Sequence, residues 1–309
     1  MTKTVVSGID VLCVGYCAVD HLLVVPRYPE PDTKSPASDY AVDGGGPAAT
    51  AAYTSAKLGC RTAFIGVVGD DANGDFILQR LREVGVDVSG VVVDPGAESA
   101  VSLVMVHDDK RTVVYSRGTA RPLKPTDVPP DIVRNARVLL VDGNQIEAQL
   151  SAAQTARAEG ATVLYDAGTV RSGVERLVEQ TDILIASRTF AEAYTRNNDS
   201  RHALECLYAS GRHDAVVVTL GDEGYVGICT DGRFDAPAFD VRVVDTTGAG
   251  DVFHGAYASA LTLSLRHEKC ALFASACAAL SCTKLGGRTG VPSRDEVEHF
   301  LCERLDLWP

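Results

Sequence analysis

The 309-residue chain has no apolar run near the ~20 residues that a membrane-crossing helix needs. Its first apolar stretch, Val11–Val14, is short and is soon followed by Asp20, so no secretory leader is visible. It also lacks an excess of positive charge: 41 Asp and Glu against 29 Lys and Arg leave a formal net charge of −12. So acidic a chain opposes the phosphate neutralisation on which non-specific nucleic-acid binding depends, and self-repulsion keeps copies apart in solution. The nine cysteines include no Cys-x-x-Cys pair, and their number is odd. Cys13, Cys60, Cys277 and Cys282 lie in apolar surroundings, which reads as free thiols in a reducing compartment. These absences predict a cytoplasmic protein with no membrane and no nucleic-acid partner. Three catalytic signatures are missing as well. No GxGxxG follows the first apolar run, and neither GxxxxGK[ST] nor GxSxG occurs. That argues against a dinucleotide-binding dehydrogenase, a P-loop kinase and a serine hydrolase.

What is present is an ordinary globular composition, 46% hydrophobic and 23% charged. A chain of this length buries about three quarters of its unfolded surface. Short, fully apolar runs at Val11–Gly15, Ala63–Gly69, Val138–Val141, Val163–Tyr165, Ile183–Ile185 and Ala215–Thr219 read as strands. Helical spacing marks Ala48–Leu58, Phe76–Val84 and Ala148–Glu159 between them. Apolar strands alternating with helices predict a mostly parallel sheet covered on both faces, an α/β fold. Two pairs of half-exposed runs break the rhythm: His21–Val25 with Tyr40–Val42, and Val101–Val106 with Thr112–Ser116 around a turn at His107–Arg111. They read as a small projecting sheet, either a decoration or a lid that excludes water from a site. The Pro-rich patches Pro26–Pro36 and Pro122–Pro130 read as stiff connections inside one domain spanning 1–309, with lid strands from about 21–42 and 100–117.

The 28 glycines are clustered, and the sharpest cluster is Asp245-Thr246-Thr247-Gly248-Ala249-Gly250-Asp251. The β-type run Phe239–Val244 precedes it. An apolar helix follows, with Val252, Phe253, Ala256, Ala260 and Leu263 on or near one face. A strand, a glycine-rich turn and a helix start make an anion site, because the first helical N–H groups have no internal partner. An aspartate ending that turn can accept a proton from a hydroxyl attacking a bound phosphate. The helix terminus favours its charged form, which predicts a weak base that orients as much as it deprotonates. On the loop alone, a first-turn carboxylate beside plain turn glycines is an equal reading.

Asp245–Asp251 followed by Val252-Phe253-His254-Gly255-Ala256 resembles the C-terminal signature of PfkB-type, ribokinase-like carbohydrate kinases. Gly44-Gly45-Gly46-Pro47-Ala48-Ala49 resembles their N-terminal signature, and Thr219-Leu220-Gly221-Asp222-Glu223-Gly224 their nucleotide-side turn. The resemblance runs in family order over essentially the whole chain. It implies a three-layer αβα domain with a small β lid and an ATP-dependent sugar kinase. Asp251 then matches the base, and Gly248, Ala249 and Gly250 match the anion hole. Asp20 and the Gly44–Gly46 loop match the sugar side, joined there by Lys34, Arg117 and Asn144. Ser187, Thr219, Gly221 and Gly224 match the nucleotide side. Asp245 and Thr247 match a monovalent-cation site, such as one for K+, built from backbone oxygens. Mg2+ and ATP are the implied cofactors, and a homodimer through the lid is the implied assembly.

Two departures stand out. The family's Asn-x-x-Glu stretch is Ser187-Arg188-Thr189-Phe190 here, with Glu192 shifted by two places. Pro47 stands where many relatives carry Asn, which removes an amide side chain and an N–H. Gly44–Ala49, His254–Ala256 and Gly286–Pro292 look closest to fructose-type kinases, including 6-deoxy-6-sulfofructose kinases. Lys34 and Arg288 fit that pattern, whereas Tyr115 and Asn144 do not match the sulfonate-reading residues expected there. A ketohexose-like acceptor is therefore expected. A sulfosugar, ribose or a nucleoside remains open, as does a binding protein that has lost its chemistry.

Overall fold

Uninterrupted Val, Leu and Ile runs become strands buried on both faces, and this sets the architecture. The computed structural model describes residues 8–108 and 110–305. Asp109, in the turn expected at His107–Arg111, lies outside them. β1 (Ile9–Val14) leads into β2 (Ala18–Val24), β3 (Asp39–Gly45), α1 (Pro47–Lys57) and β4 (Thr62–Ile65). β5 (Val67–Gly69), α2 (Ala72–Glu83), β6 (Val92–Asp94), β7 (Val101–His107) and β8 (Lys110–Ser116) follow. Next come α3 (Pro130–Arg134), β9 (Ala136–Val141), α4 (Ile146–Ala158), β10 (Thr162–Ala167), α5 (Val174–Val178) and β11 (Ile183–Ser187). α6 (Arg188–Thr195), α7 (Ser200–Tyr208), β12 (Ala215–Thr219), β13 (Tyr225–Cys229) and β14 (Gly232–Ala236) precede the closing helices α8 (Ala249–Thr262), α9 (His267–Ser281) and α10 (Arg294–Cys302).

Among the described residues the main sheet has eight strands in the order β14-β13-β12-β11-β10-β9-β1-β4. The run from β4 to β12 is parallel, and β13 and β14 add an antiparallel edge. Strand alternation divides the core in two. Val11, Cys13, Leu140 and Ile185 pack with α1, α2, α8, α9 and α10 on one face. Leu12, Val14, Leu139 and Val141 pack with α3, α4, α5, α6 and α7 on the other. The result is a three-layer αβα fold, as the family resemblance implied.

The two half-exposed pairs join into one small sheet ordered β3-β2-β7-β8, with β2 and β7 parallel and the outer pairs antiparallel. Its register separates two rows. Asp43, Asp20, Ser102 and Tyr115 are lateral neighbours, and Val42, His21, Leu103 and Val114 form the row one residue over, on the opposite face. Leu22, Val104 and Val106 form a buried patch of their own.

Two expected strands come out differently. Ala63–Gly69 is not one strand: β4 ends at Ile65, and β5 leaves the main sheet to pair with β6. At Gly66 a Cβ would lie 2.6 Å from the Phe64 ring and 2.8 Å from the Gly15 carbonyl, so only glycine fits this break. Phe239–Val244 is not a strand either. It runs irregularly, with Val243 and Val244 exposed, and is tied down by the Val244 and Asp245 N–H groups donating to Cys282 O. β-branched composition without a neighbouring strand does not make a ladder.

Candidate active site

Of the polar residues singled out above, Asn144, Ser187 and Thr219 lie at or just past the C-terminal ends of the parallel strands β9, β11 and β12, the usual ligand edge of such sheets. Asp142, just past β9, is buried and accepts hydrogen bonds from Tyr16 N (2.8 Å), Ala48 N (3.3 Å), Asn144 N (2.9 Å) and Gln149 Nε2 (2.8 Å). One carboxylate thus pins the end of β1, the start of α1 and the loop after β9. Asn144 sits in that loop. Sequence reasoning missed Asp142, because nothing in a single Val-Asp-Gly run marks a hub.

The glycine-rich turn forms the start of α8. Gly248 is the N-cap with φ 73°, a left-handed conformation that favours glycine. Ala249 and Gly250 open the helix and Asp251 stands in its first turn. A Cβ at Gly250 would meet nothing within 4 Å, so the bare backbone faces open space. Asp245 is buried beneath the turn. Its Oδ1 accepts from Thr247 N (2.9 Å) and Thr247 Oγ1 (2.7 Å), and its Oδ2 accepts from Gly286 N (2.9 Å). The Asp245 and Thr247 side chains are thereby engaged in shaping the loop, which leaves their backbone oxygens as the candidate cation ligands.

Asp251 is not the weak base expected from its helix terminus. Burial and, next, the negative charge of Asp166 push its carboxyl up to about 7, against the opposing influence of His254 and Arg111. Removing the carboxylate from water outweighs the helix dipole, which is worth at most ~2 kcal/mol in partly buried geometry. Asp166 and His254 are both buried, with His254 Nε2 3.3 Å from Asp166 Oδ1. Neither was singled out as a site residue from sequence.

Thr219, Gly221 and Gly224 come together with Ala249 and Gly250 around one cavity of about 700 Å³, closed on its other sides by Phe253, Phe239 and Ala279. The cavity size suits a nucleotide-sized ligand. Arg111, on β8 of the small sheet, lines the same cavity and donates from Nη1 to Thr246 Oγ1 at 2.9 Å. It links the projecting sheet to the glycine-rich turn, a contact that no local pattern announces. Ser187 does not line this cavity: its hydroxyl caps α6, accepting from Phe190 N (3.0 Å) and donating to Gly168 O (2.9 Å). The place of the family glutamate is taken by Phe190, wholly buried in the core, and Glu192 accepts from Ser200 instead. Among the described residues no group of three or more His, Cys, Asp or Glu side chains is placed to hold a metal ion.

Asp20 is buried on β2, and loss of hydration is the largest influence raising its carboxyl, opposed first by a hydrogen bond with Ser102. Gly44 and Gly45 end β3 and Gly46 caps α1, whose first residue is Pro47. A Cβ at Gly44 would lie 2.1 Å from Arg288 Nη1, and one at Gly45 2.2 Å from Asp20 Oδ2. These glycines make room for the protein's own side chains. Arg288 is 1% exposed, donates from Nε to Thr50 Oγ1 (3.2 Å) and from Nη2 to Gly45 O (2.9 Å), and lies over the Tyr53 ring. Asp43 receives the backbone N–H groups of Arg288 and Thr289, which ties the 286–292 segment to β3. Arg117 lies over Tyr16 and Tyr115, 5.6 and 5.9 Å from the ring centroids. Lys34 is exposed in the connection between β2 and β3.

The sequence model of the pfkB family of carbohydrate kinases matches residues 9–294. An ATP-dependent ribose-1-phosphate kinase of Halopiger xanaduensis is 31% identical, covering 96% of this chain and 100% of that protein. Fructokinase-1 of Oryza sativa subsp. japonica is 30% identical over 82% of this chain and 86% of its own. The structure of Arabidopsis thaliana ribokinase complexed with ribose and ATP superposes with a TM-score of 0.81, at 25% identity over 95% of this chain and 99% of that one.

Proposed function

The chain belongs to the pfkB family of carbohydrate kinases, phosphotransferases acting on sugar hydroxyls, and from that premise we propose that it transfers the γ-phosphoryl group of ATP to a primary hydroxyl of a ketohexose-like sugar. The observation that supports phosphoryl transfer is Asp251, its carboxyl pushed up to about 7 in the first turn of α8, next to the bare Gly250 backbone that lines the 700 Å³ cavity; the ketohexose acceptor rests on the resemblance of Gly44–Ala49 and Gly286–Pro292 to fructose-type kinases. A base with its pKa near the working pH balances ionised fraction against proton affinity. Asp251 takes the proton of the attacking hydroxyl, and the N–H groups around Gly248, Ala249 and Gly250 receive the charge building up on the phosphoryl oxygens. Thr219, Gly221 and Gly224 line the nucleotide side. Asp20 accepts from the sugar hydroxyls, with Gly44–Gly46 and Asn144 beside it. Mg2+ supplies charge neutralisation on the nucleotide phosphates in such transfers. A monovalent ion would take the backbone oxygens of Asp245 and Thr247. The small sheet acts as a lid over the site and, through its apolar outer row, as a dimer contact.

One feature favours a second reading in which the acceptor carries an anionic group. Arg117 is an exposed guanidinium stacked on two tyrosines at the edge that bears Asp20, a geometry suited to a sulfonate or phosphate. The relative named for ribose 1-phosphate is in keeping with this. The test is phosphate transfer at matched concentrations to fructose, tagatose, ribose, adenosine, ribose 1-phosphate and 6-deoxy-6-sulfofructose, by the unaltered protein and by Asp251→Asn. Ketohexose preference with an inactive Asp251→Asn is expected. Preference for ribose or adenosine removes the ketohexose assignment, and full turnover by Asp251→Asn removes the base.

A further inference from the structure

His254 follows Asp251 by three positions and lies beneath it, wholly inside the protein. Its Nδ1 is 2.5 Å from the carbonyl oxygen of Gly250, and its Nε2 is 3.2 Å from the carbonyl oxygen of Ile185 and 3.3 Å from Asp166 Oδ1. A carbonyl oxygen has no proton to give, so a bare nitrogen lone pair facing Gly250 O at that distance would be repulsive. Nδ1 must carry hydrogen. Among the described residues, the partner at Nε2 able to share a proton is Asp166, whose other oxygen, Oδ2, is buried without a hydrogen-bond partner among them.

The pair therefore holds two protons between them, one on Nδ1 and one between Nε2 and Asp166. This arrangement keeps the pair neutral overall, which a site walled off from water requires. Asp142 adds negative charge near Asp166 and Arg171 opposes it; on the other side Arg111 and Asp20 face Asp251. Without Asp166 the imidazole proton would be contested between Gly250 O and Ile185 O. With it, the tautomer is fixed.

We propose that His254 is a positioning residue: Asp166 fixes its tautomer, and its Nδ1–H holds the Gly250–Asp251 peptide, setting the last amide of the anion loop and the base in register. The proposal rests on the reading of Asp251 as the base. Gly250 O belongs to the peptide whose nitrogen is that of Asp251, so turning it tilts both groups at once. A misplacement of this kind costs up to ~10²-fold in turnover without weakening substrate binding.

The experiment compares His254→Leu, His254→Asn and Asp251→Asn in steady-state kinetics, with nitrogen NMR of histidine-labelled unaltered protein. The asparagine amide sits where Nδ1 sits and restores the donor to Gly250 O; leucine does not. His254→Leu is expected to lose roughly 10- to 10²-fold in kcat, with KM for ATP and sugar within about threefold, and His254→Asn to recover most of it. The NMR signal lost in His254→Asn is expected to report hydrogen on Nδ1. Equal kcat in the two His254 variants, or a signal showing a bare Nδ1, overturns the proposal. Asp166→Leu removes the proton shared at Nε2, and an unchanged kcat in that variant also overturns Asp166's part in it. If His254→Leu fails to fold, the Asn variant and the NMR signal still decide. An active Asp251→Asn would instead remove the base reading, a separate failure.

Discussion

At Asp251 two forces oppose each other, and their sizes decide the chemistry. The helix start favours the charged carboxylate, while burial and Asp166 disfavour it more, leaving the group near 7. A base works only when ionised, so turnover is expected to be full above that value and to fall as pH drops through about 7. A pH-rate profile whose acid limb lies near pH 4 would place the base elsewhere. Asp251→Asn should fold and lose ~10²–10⁴ in kcat, with nucleotide affinity little changed. The role proposed for Asp20 is in binding. Asp20→Ala should cost about 1–3 kcal/mol in kcat/KM for the sugar and leave KM for ATP almost untouched. A drop shared equally between the two substrates would show that Asp20 shapes the site without touching the acceptor. The roles proposed for Asp20 and Asp251 were readable from motif order, because family signatures fix residue type and spacing. Of the neighbours that tune them, His254 lies in the same motif, whereas Asp166 and Arg288 are brought alongside only by the fold, and spacing along a chain carries no trace of that contact.

At the scale of elements, the start of α8 shows what a motif can and cannot tell. The glycines announced a turn, and Gly248 does adopt a left-handed conformation. The strand expected before it was misread, since Val243 and Val244 are branched and apolar but have no partner strand. β13 and β14 were not foreseen at all, because an antiparallel edge interrupts the strand-helix rhythm on which the reading relied. Gly250 allows a clean experiment. A side chain there meets open cavity, so Gly250→Val should fold normally yet lose ~10²-fold or more in turnover by filling the place of the phosphoryl group. An unchanged melting temperature with normal activity would show that phosphate does not approach this backbone. The same logic at Gly248 would confound folding with function, since its Cβ would press on Gly287 at 3.0 Å.

Across the whole molecule, the αβα layers supply one wall of the cavity and the small sheet, through Arg111, the other. The outer row of that sheet leaves Val42, Leu103 and Val114 exposed beside His21, with Tyr40 nearby. Covering such a row against a second copy would bury it and leave Asp20 and Arg111 facing inward. Light scattering is expected to give a dimer that Val114→Lys converts to monomer; a monomeric unaltered protein would discard the lid-mediated dimer. Arg288 joins the two walls, bonding Thr50 in α1 and Gly45 at the end of β3. Its guanidinium occupies the space that any side chain at residue 44 would need. The two positions are therefore coupled through space. An alanine at 44 would have to push this buried guanidinium aside, and removing the arginine takes a donor from Gly45 O and Thr50 Oγ1. Gly44→Ala should thus be far more damaging with Arg288 present than in an Arg288→Met background, with a coupling of about 0.5–3 kcal/mol in a melting-based double-mutant cycle. Where such coupling holds, the effect of a change at either position depends on what stands at the other.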